Sequence, residues 1–107
     1  MAAYIQKGET IDIKATADTN AEDVVVLGNK AGVAACSGKR GELIAVAVEG
    51  VYKFPKEAEA VSVGDDLYYD ASAEKVTKTS GEGKAKVGFA VSDASTSDSE
   101  VAVKLSY

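Results

Sequence analysis

Apolar and polar residues alternate with a period of two over much of this chain, and turn-forming residues interrupt the alternation every several positions. In Glu9-Thr-Ile-Asp-Ile-Lys-Ala15, Ile11 and Ile13 share one face while Thr10, Asp12 and Lys14 share the other, which predicts a half-buried strand. Asp23-Val-Val-Val-Leu27 is a continuous apolar run closed by Gly28-Asn-Lys30, and Ala31 to Cys36 follows at once. These read as two strands around a tight turn. After the polar loop Ser37-Gly-Lys-Arg-Gly41, the segment Glu42-Leu-Ile-Ala-Val-Ala-Val-Glu49 is the most apolar of the chain and is predicted to be the central strand. It runs through Gly50 into Val51-Tyr-Lys-Phe54, and a glycine inside so strong a strand signals a bulge or bend.

Pro55, the only proline, ends ladder pairing there. Lys56-Glu-Ala-Glu-Ala60 fits either one helical turn or an extended connection. Val61-Ser-Val-Gly-Asp-Asp-Leu-Tyr-Tyr-Asp70 alternates, turns at Gly64-Asp65 and enters a strand; Ala71-Ser-Ala-Glu74 turns into a strand over Val76-Thr-Lys-Thr79. Ser80-Gly-Glu-Gly83 is a loop, residues 86–92 a further strand, Asp93-Ala-Ser-Thr-Ser-Asp-Ser99 an exposed polar loop, and Glu100-Val-Ala-Val-Lys-Leu105 the last strand. The whole reads as one all-β domain over residues 1–107, barrel-like or sandwich-like, with short strands and at most one helical turn. Residues 1–8 stand apart as an N-terminal arm. Gly32-Val-Ala34 followed by Ala45-Val-Ala-Val48 has a faint echo in Gly88-Phe-Ala90 followed by Glu100-Val-Ala-Val103. Two similar β units would give such an echo, but chance in a Val- and Ala-rich chain is the favoured explanation.

Composition narrows the function. The chain has 107 residues, 46% of them apolar and 27% charged, with no Trp and only two Phe. A domain of this size buries only about two thirds of its unfolded surface, so association with copies of itself or a partner would add stability. Small β-branched side chains suit thin sheets better than an aromatic-lined ligand cavity. Net charge is −5, and the 12 Lys and Arg residues are scattered, so the basic stripe that nucleic acid or anionic lipid requires is missing. No apolar run approaches the roughly 20 residues that span a bilayer, and the N-terminus lacks the pattern of a secretory signal. A single cysteine, Cys36, agrees with a reducing compartment and reads as an inert core thiol on a buried strand.

The chain has no histidine, which removes the commonest general base and metal ligand. A zinc site would need several Cys or His ligands. Asp65, Asp66 and Asp70 lie close in sequence but lack the ligand spacing of a calcium loop, and they read as turn and strand-end residues; no metal or cofactor is predicted. Gly32-Val-Ala-Ala-Cys-Ser-Gly-Lys-Arg40 fails as a phosphate loop, because five residues separate its glycines and Arg40 stands where a hydroxyl is needed. Gly81-Glu-Gly-Lys84 fails too, with Ala85 after the lysine.

Taken in order, Asp23-Val-Val-Val-Leu-Gly28, Ala31-Gly-Val-Ala34, Val46-Ala-Val-Glu-Gly-Val-Tyr52 with Pro55-Lys56, Val63-Gly-Asp-Asp-Leu-Tyr-Tyr-Asp-Ala71 with Lys75-Val-Thr77, Gly88-Phe-Ala90 and Val101-Ala-Val-Lys-Leu105 resemble the capsid cement, or decoration, proteins of tailed bacteriophages. The resemblance runs from about Gly8 to Leu105. It implies a compact, non-catalytic β module made in the host cytoplasm and carried on the outer surface of the virion. Its partners would be the phage major capsid protein and further copies of itself, a homotrimer being favoured over a dimer, with no nucleic acid and no membrane. A cement protein bridges major capsid subunits of the expanded head and so stabilises it.

The resemblance marks no contact positions, and physical grounds single out two segments. The arm Ala2, Ala3, Tyr4, Ile5, Gln6 and Lys7 could add to a neighbour as a strand. The turn Phe54, Pro55 and Lys56 sets an aromatic beside a rigid bend. Two other functions compete: a non-catalytic ligand- or carbohydrate-binding β module, weakened by the lack of Trp, and a carboxylate-only glycosidase, for which so short a chain leaves little room.

Overall fold

The structure, a computed structural model, describes residues 10–107, and among these it contains nine strands and no helix. They are β1 (Thr10–Lys14), β2 (Val24–Leu27), β3 (Lys30–Ala34), β4 (Leu43–Ala47), β5 (Val51–Pro55), β6 (Asp66–Asp70), β7 (Lys75–Thr77), β8 (Lys84–Ala90) and β9 (Glu100–Leu105). All nine join in one sheet. Residues 57–60, where the sequence allowed a helical turn, form a bend instead.

The pairings divide the chain into two units built to one plan. In the first, the strands lie in the order β1-β4-β3-β2, each antiparallel to the next. In the second, β5-β9-β8-β6 repeats that order and sense. The registers agree up to a bulge between Leu67 and Tyr68 that the first unit lacks. Val46 stands opposite both Ile11 and Ala34, and Val103 opposite both Tyr52 and Ala90. Val25 faces Gly32, and Leu67 faces Gly88.

The loops repeat as well. Isolated bridges join Thr19 to Gly38 and Val61 to Ala94. The Asn20 amide donates to Asp23 Oδ2 (2.9 Å) and the Ser62 amide to Asp65 Oδ2 (2.9 Å), a side-chain-closed turn in each case. The Lys39 amide donates to Glu42 Oε1 (2.6 Å) and the Ser95 amide to Asp98 Oδ2 (2.8 Å). So many matched bonds do not arise by chance, and the echo of Gly32-Val-Ala34 in Gly88-Phe-Ala90, first assigned to composition, is the visible part of a structural repeat.

Gly32 and Gly88 explain why that part is visible. A Cβ on Gly32 would lie 2.7 Å from the carbonyl oxygen of Ala47, and one on Gly88 would lie 1.8 Å from that of Lys104. Neighbouring backbone occupies the space a side chain would need at both positions, so only glycine fits.

The units differ in one insertion. Between β2 and β3 the chain turns in two residues, with Gly28 at φ 65°. Between β6 and β8 the same turn is replaced by residues 71–83, which contain β7. β7 is antiparallel to β6, and Val76 also bridges in parallel to Lys56 at the end of β5. The path β8-β6-β7-β5-β9-β8 therefore closes on itself as a ring of strands. Inside it Phe54, Leu67, Val76, Val87, Val103 and Leu105 are at most 1% exposed. Each such side chain contributes about 1.5–3 kcal/mol of burial free energy.

The first unit has no strand in the place of β7 among the described residues. Its buried cluster is Ala15, Ile44 and Val46, with Ile13, Val25 and Leu27 only half covered. In the repeat, Ile13 and Val25 correspond by register to Phe54 and Leu67 of the ring, and Leu27, two residues on along β2 and on the same face, corresponds to Tyr69. The predicted central strand, β4, is interior to this unit, but the strands with three neighbours are β3 and β8. These two meet in parallel at Lys30 and Lys86, and Ala31 and Val33 extend the ring's core across the seam. The glycine that was expected to bend one long strand, Gly50 at φ 111°, lies where the chain passes from one unit to the other.

Candidate interaction surface

Of the residues predicted from sequence to make contacts, Ala2, Ala3, Tyr4, Ile5, Gln6 and Lys7 lie outside the described residues. In the second group, Pro55 is exposed, whereas Phe54 is 1% and Lys56 3% exposed. Strand alternation turns Phe54 into the ring. Lys56 follows it because its ammonium group is held by two carbonyls, donating to Glu57 O (3.0 Å) and Glu59 O (2.7 Å). A buried lysine is tolerable when its charge is hydrogen-bonded in this way. Glu59 completes the latch, its Oε1 accepting from Thr77 Oγ1 (2.9 Å) and from the Lys78 amide (2.6 Å). Phe54 and Lys56 thus hold the ring shut, and of the three only Pro55 is exposed. Pro55 does not end the ladder as its lack of an amide proton suggests: it lies within β5 opposite Glu100, and the Lys56 amide bonds on to Ser99 O.

The acidic side chains are used in the same structural manner. Asp65 closes its turn onto Ser62, and Asp70 Oδ1 accepts from the Ser72 amide (3.0 Å) and the Ala73 amide (3.4 Å), as the turn and strand-end reading of these residues proposes. Among the described residues no group of three or more Cys, Asp or Glu side chains is placed to hold a metal ion. Two tyrosines are perturbed. Burial raises the pKa of Tyr69, with Glu74, Asp23 and Asp70 adding to the rise, and burial raises that of Tyr107. The Tyr107 hydroxyl donates to the carbonyl of Ala31, tying the end of the second unit to the first.

Cys36 overturns one expectation. It is exposed, not buried in a strand, because β3 ends at Ala34 and residues 35–36 bend away. The local sequence Ala34-Ala35-Cys36-Ser37 does not reveal where the ladder stops.

The surface that remains is apolar in an uneven way. Leu43 (71% exposed), Val63 (60%) and Val51 (56%) project into solvent, with Val26 and Tyr107 also exposed. Leu43 shows the asymmetry between units, for it pairs with Lys14 as Glu100 pairs with Pro55. The second unit has a carboxylate where the first presents a large apolar side chain. Sequence reasoning passed over Leu43 because it opens a continuous apolar run, in which alternation cannot assign faces. The first unit also carries a groove of about 440 Å³ between β1 and β2, floored by Ile13, Val25, Leu27 and Ile44.

Nine short strands, turns closed by acidic side chains such as Asp23, Asp65 and Asp98, and a few large apolar side chains left on the surface define a small all-β module. The family model for phage cement proteins matches residues 5–105, and the chain belongs to that family. No curated protein and no solved structure matches it. The family assigns the chain a structural role at the phage capsid.

Proposed function

We propose that the protein binds the outer surface of the expanded phage head as a homo-oligomer, bridging major capsid subunits and so stabilising the lattice against the pressure of packaged DNA. The match to the cement family over residues 5–105 carries this reading. Exposed Leu43, Val51 and Val63 support it, since large apolar side chains left in water contribute when they are covered by a partner. A trimer is favoured over a dimer, with residues 2–7 and the Pro55 turn as the segments that meet neighbours. The protein would be made in the host cytoplasm and join the head afterwards. Bound at a junction, it adds interface free energy that must be lost before two subunits can part, and many copies act together.

The test is co-sedimentation with expanded, undecorated heads of the cognate phage and, in parallel, with unexpanded procapsids. Saturable binding to expanded heads is expected, with the copy number per capsid subunit giving the oligomer. Failure to bind any head lattice would sink the proposal.

A further inference from the structure

The ring of the second unit shows what the groove of the first unit is shaped to receive. In the ring, three residues of β7 suffice: Tyr69 pairs with Val76 across an antiparallel ladder, Lys56 bridges to Val76 in parallel, and Val76 is fully buried. The corresponding border in the first unit consists of Leu27 on β2 and Ala15 beyond β1, and between them lies the groove of about 440 Å³. The repeat extends to this rim, for the Ala15 amide donates to Glu42 O (2.8 Å) as the Lys56 amide donates to Ser99 O (3.0 Å). Among the described residues no strand lies there.

We infer that in the oligomer this groove is filled by the N-terminal segment of a second copy, residues 2–7, entering as a strand antiparallel to β2 with Ile5 in the place that Val76 holds in the ring. The inference rests on the oligomeric reading above and gives its N-terminal arm a destination. Ile5 is a β-branched apolar residue flanked by Tyr4 and Gln6, as Val76 is flanked by Lys75 and Thr77. Direction decides which copy supplies it. A strand antiparallel to β2 here is parallel to β1, so a chain filling its own groove would end level with Ala15 and return to Thr10 before β1 begins. That return along five residues is about 17 Å. The three steps from Lys7 through Gly8 and Glu9 to Thr10 span at most about 11 Å, and parallel neighbours ordinarily need a crossover of a dozen residues or more. A second copy has no such constraint, and the strand it adds completes the core it enters.

The test is disulfide trapping with Cys36→Ser as background. The pairing of Tyr69 with Val76 places Leu27 opposite Ile5, within the reach of a disulfide. One full-length chain carrying Ile5→Cys is mixed with another carrying Leu27→Cys and oxidised, both free in solution and on saturated expanded heads. A cross-linked species of two chains, formed at least about tenfold above a Val51→Cys control, is the expected result. Ile5→Asp should raise the concentration at which the oligomer dissociates by about tenfold or more, a carboxylate being costly in an apolar slot. No cross-link above control in either setting overturns the inference, as does a double variant Ile5→Cys/Leu27→Cys that closes only within one chain. Undiminished binding to heads in those cases would point to a capsid strand in the groove and leave the cement reading standing. Loss of head binding by the unaltered protein would instead remove that reading itself.

Discussion

The first and second units share a backbone plan and differ in how completely it is filled. Both place four strands in the same order and close their loops with the same bonds, yet Phe54 and Leu67 of the second are dry while Ile13 and Val25 of the first are half exposed. The cause is local: the insertion of residues 71–83 supplies β7, and β7 supplies Val76. Where no strand among the described residues stands in the place of β7, the side chains at that border stay partly in water, however apolar they are. Core burial is therefore divided unequally between the halves: the ring holds the larger dry cluster, and the first unit leaves Ile13, Val25 and Leu27 partly in water.

The largest effect is expected at the paired glycines. Gly88→Ala puts a methyl group 1.8 Å from the carbonyl oxygen of Lys104, inside the ring's seam, and Gly32→Ala puts one 2.7 Å from that of Ala47. Backbone cannot yield as a side chain can, so Gly88→Ala is expected to cost more than about 3 kcal/mol and to leave little folded protein. Gly32→Ala should cost about 1–3 kcal/mol, because its clash is the milder of the two. Circular dichroism and urea midpoints of the two variants decide the matter, and equal losses would contradict that ranking.

A smaller effect separates the paired core positions. Leu67→Ala is expected to cost about 2–5 kcal/mol, as for a fully buried leucine, and Val25→Ala about 1 kcal/mol or less while the groove stays open. Equilibrium unfolding of both variants checks this. Repeating the Val25→Ala measurement under conditions where the protein is oligomeric sharpens it, because a filled groove would raise the cost.

The smallest expected effect concerns the tie between units. Burial raises the pKa of Tyr107, so the folded state holds that phenolic proton more tightly than the unfolded one. The contribution is fully present below the ordinary tyrosine pKa of about 10 and is lost as pH rises from there through the folded value. Tyr69, raised by burial and then by Glu74, Asp23 and Asp70, works in the same direction. Stability should therefore fall above about pH 10, and Tyr107→Phe should flatten part of that fall in denaturant melts at a series of alkaline pH values.

Much of the fold was legible because strands announce themselves locally. Alternation located β1, β5 and β9, and Gly28-Asn29 marked the β2–β3 turn. Partnership was not legible. β3 lies beside β8, 56 residues further on, and no local pattern encodes that pairing. The repeat was visible only at Gly32 and Gly88, where neighbouring backbone leaves room for one residue type. Elsewhere it is kept by main-chain bonds that many side chains permit, so Ile13 could become Phe54 and Asn20 could become Ser62. The same limit explains Lys56. Its charge read as surface, and the two carbonyls that receive it become neighbours only when residues 57–60 bend.

The exposed position of Cys36 has a practical consequence. The chain has one thiol, and water reaches it. A maleimide dye would attach at a single point per molecule, so fluorescence per purified head counts copies directly. Dye uptake before and after decoration would report whether the corner beyond β3 turns toward the lattice or away from it. The same thiol can join two molecules through air oxidation, so any dimer found without a reducing agent must first be tested with Cys36→Ser.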